Sequence, residues 1–214
     1  MRVSLLCTDP IHPVNGHLES WIQRNSAACE ISLVRSKNAL PGGDVLFIIS
    51  CSEIVHMAER ALYRTCLVLH ASALPRGRGW SPHIWELLLG ATELTLTLLE
   101  AEDMVDSGRI WRQIAIRVPK HALWNEINER LFDAELELMD FAIRELETVV
   151  PWPQRADVKP TYYRKRAPED SRVDSERSIA SQFDLIRVCD PQRFAAFFEM
   201  HGHKYKIKLE KMDE

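Results

Sequence analysis

Residues 70–85, HASALPRGRGWSPHIW, followed by ELLLGATELTLTLLEAED (86–103) and MVDSGRI (104–110), decide how this chain is read. The run Cys66-Leu67-Val68-Leu69 predicts a buried strand that delivers His70 at its end. A Pro/Gly/Arg loop, a short helix, a Leu/Thr strand over 95–99 and an Asp-Ser-Gly turn follow. The layout puts two ionisable groups, His70 and Asp106, at the ends of two separate strands. Strand ends are where ligand crevices open in an α/β sheet.

Outward from there, the predicted elements alternate between strand and helix. Val3–Cys7 and Glu30–Val34 read as short strands, and 45–49 (VLFII) as a central strand buried on both faces. Between them come a polar loop, Thr8–Gly16, and a short helix, Leu18–Arg24. The loop Ser50–Val55 leads into a helix expected over 55–63. It contains no G-x-G-x-x-G, which disfavours a dinucleotide site. Apolar residues at three- and four-residue spacing predict one long helix from Pro119 to Val150. Pro151-Trp152-Pro153 ends it. A Pro- and charge-rich segment runs to about 176, then a helix over 179–188 and two strands around His201-Gly202-His203. In the second strand Tyr205, Ile207 and Leu209 alternate with lysines, which predicts one buried and one solvated face.

The chain has 214 residues, 46% of them hydrophobic, enough for one domain with a small appendage. A net charge of -4 makes broad affinity for nucleic acid unexpected. No apolar run is long enough to span a membrane and the N-terminus lacks a signal pattern, so a cytoplasmic protein is expected. The five cysteines lack a C-x-x-C pair and read as buried apolar residues, not as a zinc site or a disulfide framework. His201 and His203 have no accompanying ligand group, so no metal site is expected. Trp80 reads as packed inward. Arg76 and Arg78 suit phosphate or carboxylate recognition.

His70-Ala71-Ser72, Leu74-Pro75-Arg76, Arg78-Gly79, Ser81-Pro82, Ile84-Trp85, Gly90 and Asp106-Ser107-Gly108-Arg109-Ile110 resemble, in order, the family of formyltransferases that use 10-formyltetrahydrofolate. That family includes methionyl-tRNA formyltransferase and the sugar N-formyltransferases, and the latter are the more similar. The resemblance implies a Rossmann-like α/β fold with a mostly parallel central sheet and a C-terminal β-hairpin. It implies a catalytic domain over 1–150, a linker over 151–176 folding back across the cleft, and a helix and hairpin over 177–214 supporting a homodimer. The 38 residues after Glu176 are too few for the separate C-terminal barrel of methionyl-tRNA formyltransferase. The activity implied is transfer of a formyl group to the amine of a nucleotide-linked amino sugar, the alternative being a catalytically impaired folate- or sugar-binding protein of the same fold, with no nucleic-acid or membrane partner.

The same resemblance assigns roles. His70 and Asp106 are the catalytic pair, the imidazole exchanging protons and the carboxylate holding its tautomer. Ser50, Ser52, Glu53, Ile54 and Val55 on one side, and Leu99, Glu100 and Asp103 on the other, would meet the folate; Ser50 and Ser52 equally suit capping of the next helix. Asp9, Asn15, Arg76 and Arg78 are the candidate substrate contacts. One departure matters: the family pattern has an asparagine two residues before the histidine, donating to the formyl oxygen, where this chain has Val68. Alternation along a strand puts 68 and 70 on one face, so the donor is missing at the site itself. Ser50, Ser52, the backbone of their loop, or Asn15 are the replacements expected.

Overall fold

A computed structural model describes residues 1–212. Six strands form the central sheet: β1 (Arg2–Leu6), β2 (Glu30–Val34), β3 (Gly43–Ile48), β4 (Tyr63–His70), β6 (Glu93–Glu100) and β7 (Ile110–Arg117), in the order β2-β1-β3-β4-β6-β7. The first four are mutually parallel, and β6 runs antiparallel to both of its neighbours. The fold is thus α/β with a mostly parallel sheet, as expected.

β7 was not anticipated. Arg112, Gln113 and Arg117 interrupt its apolar residues, and the register slips between Leu98 and Leu99 where it joins β6, so no clean two-residue period shows in the sequence.

Burial explains the apolar runs. On one face of the sheet, Leu5, Phe47, Leu67 and Leu96 pack under α1 (Asn15–Asn25) and α4 (Trp124–Arg144). On the other, Leu6, Leu46 and Cys66 form a smaller core with Leu40, Val55 and Tyr63. Trp21 and Arg24 of α1 both bond the Asp140 carboxylate of α4, at 2.6 and 2.9 Å, which locks the helix pair.

Two helices are shorter than expected. α2 is a single turn, Met57–Arg60, because Tyr63 already belongs to β4, where its hydroxyl donates to Ser4 Oγ at 2.8 Å. α4 begins at Trp124, where the Glu126 carboxylate caps the Leu123 N–H, and it ends at Arg144. Beyond it, Thr148 folds back onto Glu145, and β-branched residues ahead of Pro151 disfavour further helix.

The segment after α4 crosses back over the sheet's loops. Trp152 makes an isolated bridge with Ile110, and β8 (Tyr162–Tyr163) pairs with β5 (Arg78–Gly79). Trp85 of α3 (Pro82–Leu88) stacks on Tyr163, with the Arg164 guanidinium over the same indole. Gly79 is required there, since a Cβ at that position would sit 2.4 Å from the Tyr163 carbonyl oxygen. Trp80 is 42% exposed with Lys165 over its ring, contrary to the inward packing expected. The chain closes with α5 (Ile179–Arg187) and the hairpin β9 (Ala196–Met200) and β10 (His203–Ile207). β9 is held by the Val173 N–H on the Phe197 carbonyl. β10 keeps only part of the buried face expected of it: Ile207 and, just beyond the strand, Leu209 are half-buried against the main core, whereas Tyr205 is exposed and stacks on Phe198.

Candidate active site

Adjacent strand ends bring the histidine and the aspartate together. His70 closes β4 opposite Thr97 of β6, and Asp106 lies on the turn that links β6 to β7. The His70 Nδ1 is 3.4 Å from Asp106 Oδ1, and both side chains are buried. Asp106 adopts a left-handed backbone, φ +57°, which aspartate tolerates better than most residues. Its other carboxylate oxygen accepts the Gly79 N–H at 2.8 Å. Its carbonyl accepts Gln154 Nε2, which also reaches the Gly108 carbonyl. Gly108 is obligatory because an added Cβ would overlap the Glu100 carbonyl.

The second ring nitrogen is engaged as well. His70 Nε2 lies 2.8 Å from the carbonyl oxygen of Gly77. A carbonyl only accepts, so Nε2 donates to it in this state. That carbonyl must move before Nε2 can meet an incoming amine.

Val68 occupies the face predicted. It lies opposite Leu99 and packs in an apolar nook with Leu74, Leu99 and Ile110. Of the replacement donors, Asn15 is spent: its Nδ2 donates to the Asp9 and His12 carbonyls and its Oδ1 accepts from Arg35. Ser52 is held through its hydroxyl and its N–H by Thr8. Ser50 is exposed, with φ +46°. Ile48 opposite Val68 is the last pair of the β3–β4 ladder, and Ser50 follows two residues beyond the end of β3.

The other predicted contacts divide. Glu53 accepts the Lys37 N–H, the Ile54 carbonyl accepts Lys37 Nζ, and Val55 is buried. Leu99 belongs to the Val68 nook, Glu100 accepts the Trp111 indole N–H at 3.2 Å, and Asp103 pairs with Arg60 at 2.6 Å. That last pair ties the loop after β6 to α2, and Ile54, Met57, Met104 and Val105 stand exposed on these two segments. Asp9 is bound to Arg193 from the C-terminal region. Arg76 is exposed, whereas Arg78 is buried among Gln154, Tyr162 and Met104.

His83 was missed. It is the second residue of α3, and burial, followed by the charges of His70, His12 and Arg166, lowers its pKa to about 4, so it stands neutral near His70. A lone histidine after a proline gives no sequence signal of which way the helix faces. Also unforeseen, because it spans two helices, is the grouping of His17 with Glu129 and Asp133, the two carboxylates being exposed.

The formyl transferase family model matches residues 22–143, more than half of the chain. The chain belongs to the formyl transferase family. Solved structures support the fold of this formyltransferase. Methionyl-tRNA formyltransferase from Clostridium thermocellum superposes with a TM-score of 0.84 at 18% identity, covering 100% of this chain and 94% of that one. A sugar N-formyltransferase from Shewanella gives 0.72 at 13% identity, with 100% and 99% covered. HypX from Aquifex aeolicus, in complex with tetrahydrofolic acid, gives 0.76 at 18% identity over 95% of this chain and 36% of that one. Among the described residues no helix is long and apolar enough to cross a membrane.

Proposed function

We propose that this formyltransferase moves the formyl group of 10-formyltetrahydrofolate onto the amino group of a nucleotide-linked amino sugar used in surface-glycan synthesis. The observation that carries the reading is the buried His70–Asp106 pair at adjacent strand ends in a formyl transferase fold. Once the Gly77 carbonyl withdraws and Nε2 has released its proton to solvent, His70 presents a free Nε2 to the cleft while Asp106 keeps Nδ1–H oriented. The amine nitrogen attacks the formyl carbon, His70 takes the proton it sheds, and the bond from that carbon to N10 of the folate breaks as the same proton passes to N10. The formyl oxygen carries the transient charge. With Val68 unable to donate, the Ser50 hydroxyl is the donor we assign to it. The exposed apolar residues flanking the Arg60–Asp103 pair would hold the pterin.

The net charge of -4 favours a small-molecule acceptor over tRNA. A second copy of the chain covering β10 is the partner proposed, since that strand carries exposed Tyr205, stacked on Phe198. The test is a panel of amino sugar nucleotides incubated with 10-formyltetrahydrofolate and read by mass spectrometry. A product heavier by one CO unit is expected from at least one member. Formylation of methionyl-tRNA with the whole panel untouched would overturn the substrate class.

A further inference from the structure

The Asp106 turn has a second side that the catalytic pair does not use. There a cavity of about 340 Å³ opens between the Pro75–Arg78 loop, Ser107 to Arg109 and residues 153–160. It has room on the order of ten water molecules. Arg78, Arg109 and Arg155 line it together with Ser107 and Gln154, and its wall contains no carboxylate.

Two of these three arginines, Arg78 and Arg109, have no counter-charge among the described residues. Arg78 is 7% exposed, yet its guanidinium meets only uncharged groups: Gln154 Oε1 at 2.7 Å, the Tyr162 hydroxyl at 3.2 Å and Met104 Sδ at 3.8 Å, with Nε unpartnered. Among the described residues neither Arg78 nor Arg109 forms an ion pair; Arg109 donates to the Pro151 carbonyl. Arg155 pairs with Asp157, and both side chains are largely exposed. Burying a guanidinium without a counter-charge is costly. Several forked donors around one space match the oxygens of a phosphate or carboxylate.

We propose that this cavity is a binding site for a multiply charged oxyanion, a diphosphate or a pair of carboxylates. The proposal rests on the function inferred above in one respect: both reactants carry such an end, the nucleotide sugar its diphosphate and the folate its glutamyl tail. Gln154 bonds Arg78 on one side and the Asp106 and Gly108 carbonyls on the other, so a filled site braces the turn that carries the catalytic aspartate.

Isothermal titration of the full chain with inorganic pyrophosphate, and separately with tri-γ-glutamate, tests this. The variants are Arg155→Met, Arg109→Met and, as a remote control, Arg24→Met, with circular dichroism confirming that each is folded. Saturable binding of one probe is expected, weakened about 10-fold or more by Arg155→Met and by Arg109→Met and unchanged by Arg24→Met. The tighter probe names the source of the anion. Binding of neither probe, or equal binding by all variants, overturns the site. The readout is independent of catalysis: anion binding without formylation of any amino sugar would leave the site standing and remove the substrate assignment.

Discussion

Val68→Asn puts the family's missing amide back beside His70, and its outcome separates a rewired enzyme from one that kept the cleft and lost turnover. The new side chain would enter a nook made by Leu74, Leu99 and Ile110, none of which offers a hydrogen-bond partner. A buried amide left unpaired costs about 1–3 kcal/mol. For a chain of this size that lowers Tm by roughly 2–12 °C. Against this stands the worth of an oxyanion donor, about 100- to 1000-fold in rate. If Ser50 already supplies that donor, wild-type protein turns over, Val68→Asn changes kcat by no more than about twofold, and only stability falls. Single-turnover formyl transfer on the responsive amino sugar, with thermal melts of both proteins, measures the two effects separately. A wild type that binds folate yet transfers nothing, together with a variant that gains about 100-fold or more, would refute the rewired-donor reasoning.

Other consequences are equally direct. His70→Ala and Asp106→Asn should each lower kcat by about 100-fold or more with far-UV circular dichroism unchanged; near wild-type turnover by His70→Ala under saturating substrates would sink the mechanism. Burial raises the Glu135 carboxyl to about 8, so the folded state holds a proton that the unfolded state releases at much lower pH. That stabilisation is complete below the unfolded value and is lost as pH rises through about 8, so Glu135→Gln should exceed wild type by about 2–4 kcal/mol in denaturant titrations at pH 9 and match it near pH 5. His83, lowered to about 4, acts in the opposite direction: the unfolded chain binds its proton first, so stability falls as pH drops from about 6.5 towards 4, and His83→Phe should flatten that limb of a Tm–pH curve. Tyr205→Glu should leave a monomer by light scattering if a second copy covers the hairpin; an unchanged dimer would put the contact elsewhere.

How far the sequence could be read follows from the range of the forces involved. The parallel core strands announced themselves through apolar runs, because strands buried on both faces admit little else. Alternation alone put Val68 and His70 on one face. The turn carrying Asp106 was legible from its local chemistry, Asp-Ser-Gly. By contrast, β5 and β8 are two-residue ladders whose pairing depends on chain about eighty residues away, as Gly77 N–H on Thr161 Oγ1 also does. No local pattern encodes them. Arg78 reads in sequence as a loop arginine open to a ligand, and the burial it has in the fold comes from Gln154 and Tyr162 of that distant segment. Asn15 looked available because its amide is consumed by the carbonyls of its own loop, at Asp9 and His12, and by Arg35 from beyond β2, none of which a residue type announces.

The hold that Gln154 keeps on the Asp106 turn also orders events in time. As the chain leaves the ribosome, β1 to β7 and α4 emerge before residue 154, so the sheet has all its strands while the catalytic turn still lacks its latch. Tyr163 then docks on Trp85 and Gln154 clasps the Asp106 carbonyl. The site is therefore the last part of the first 163 residues to be finished. A chain truncated after residue 150 would keep every strand of the central sheet and lose the Gln154 hold on the Asp106 turn.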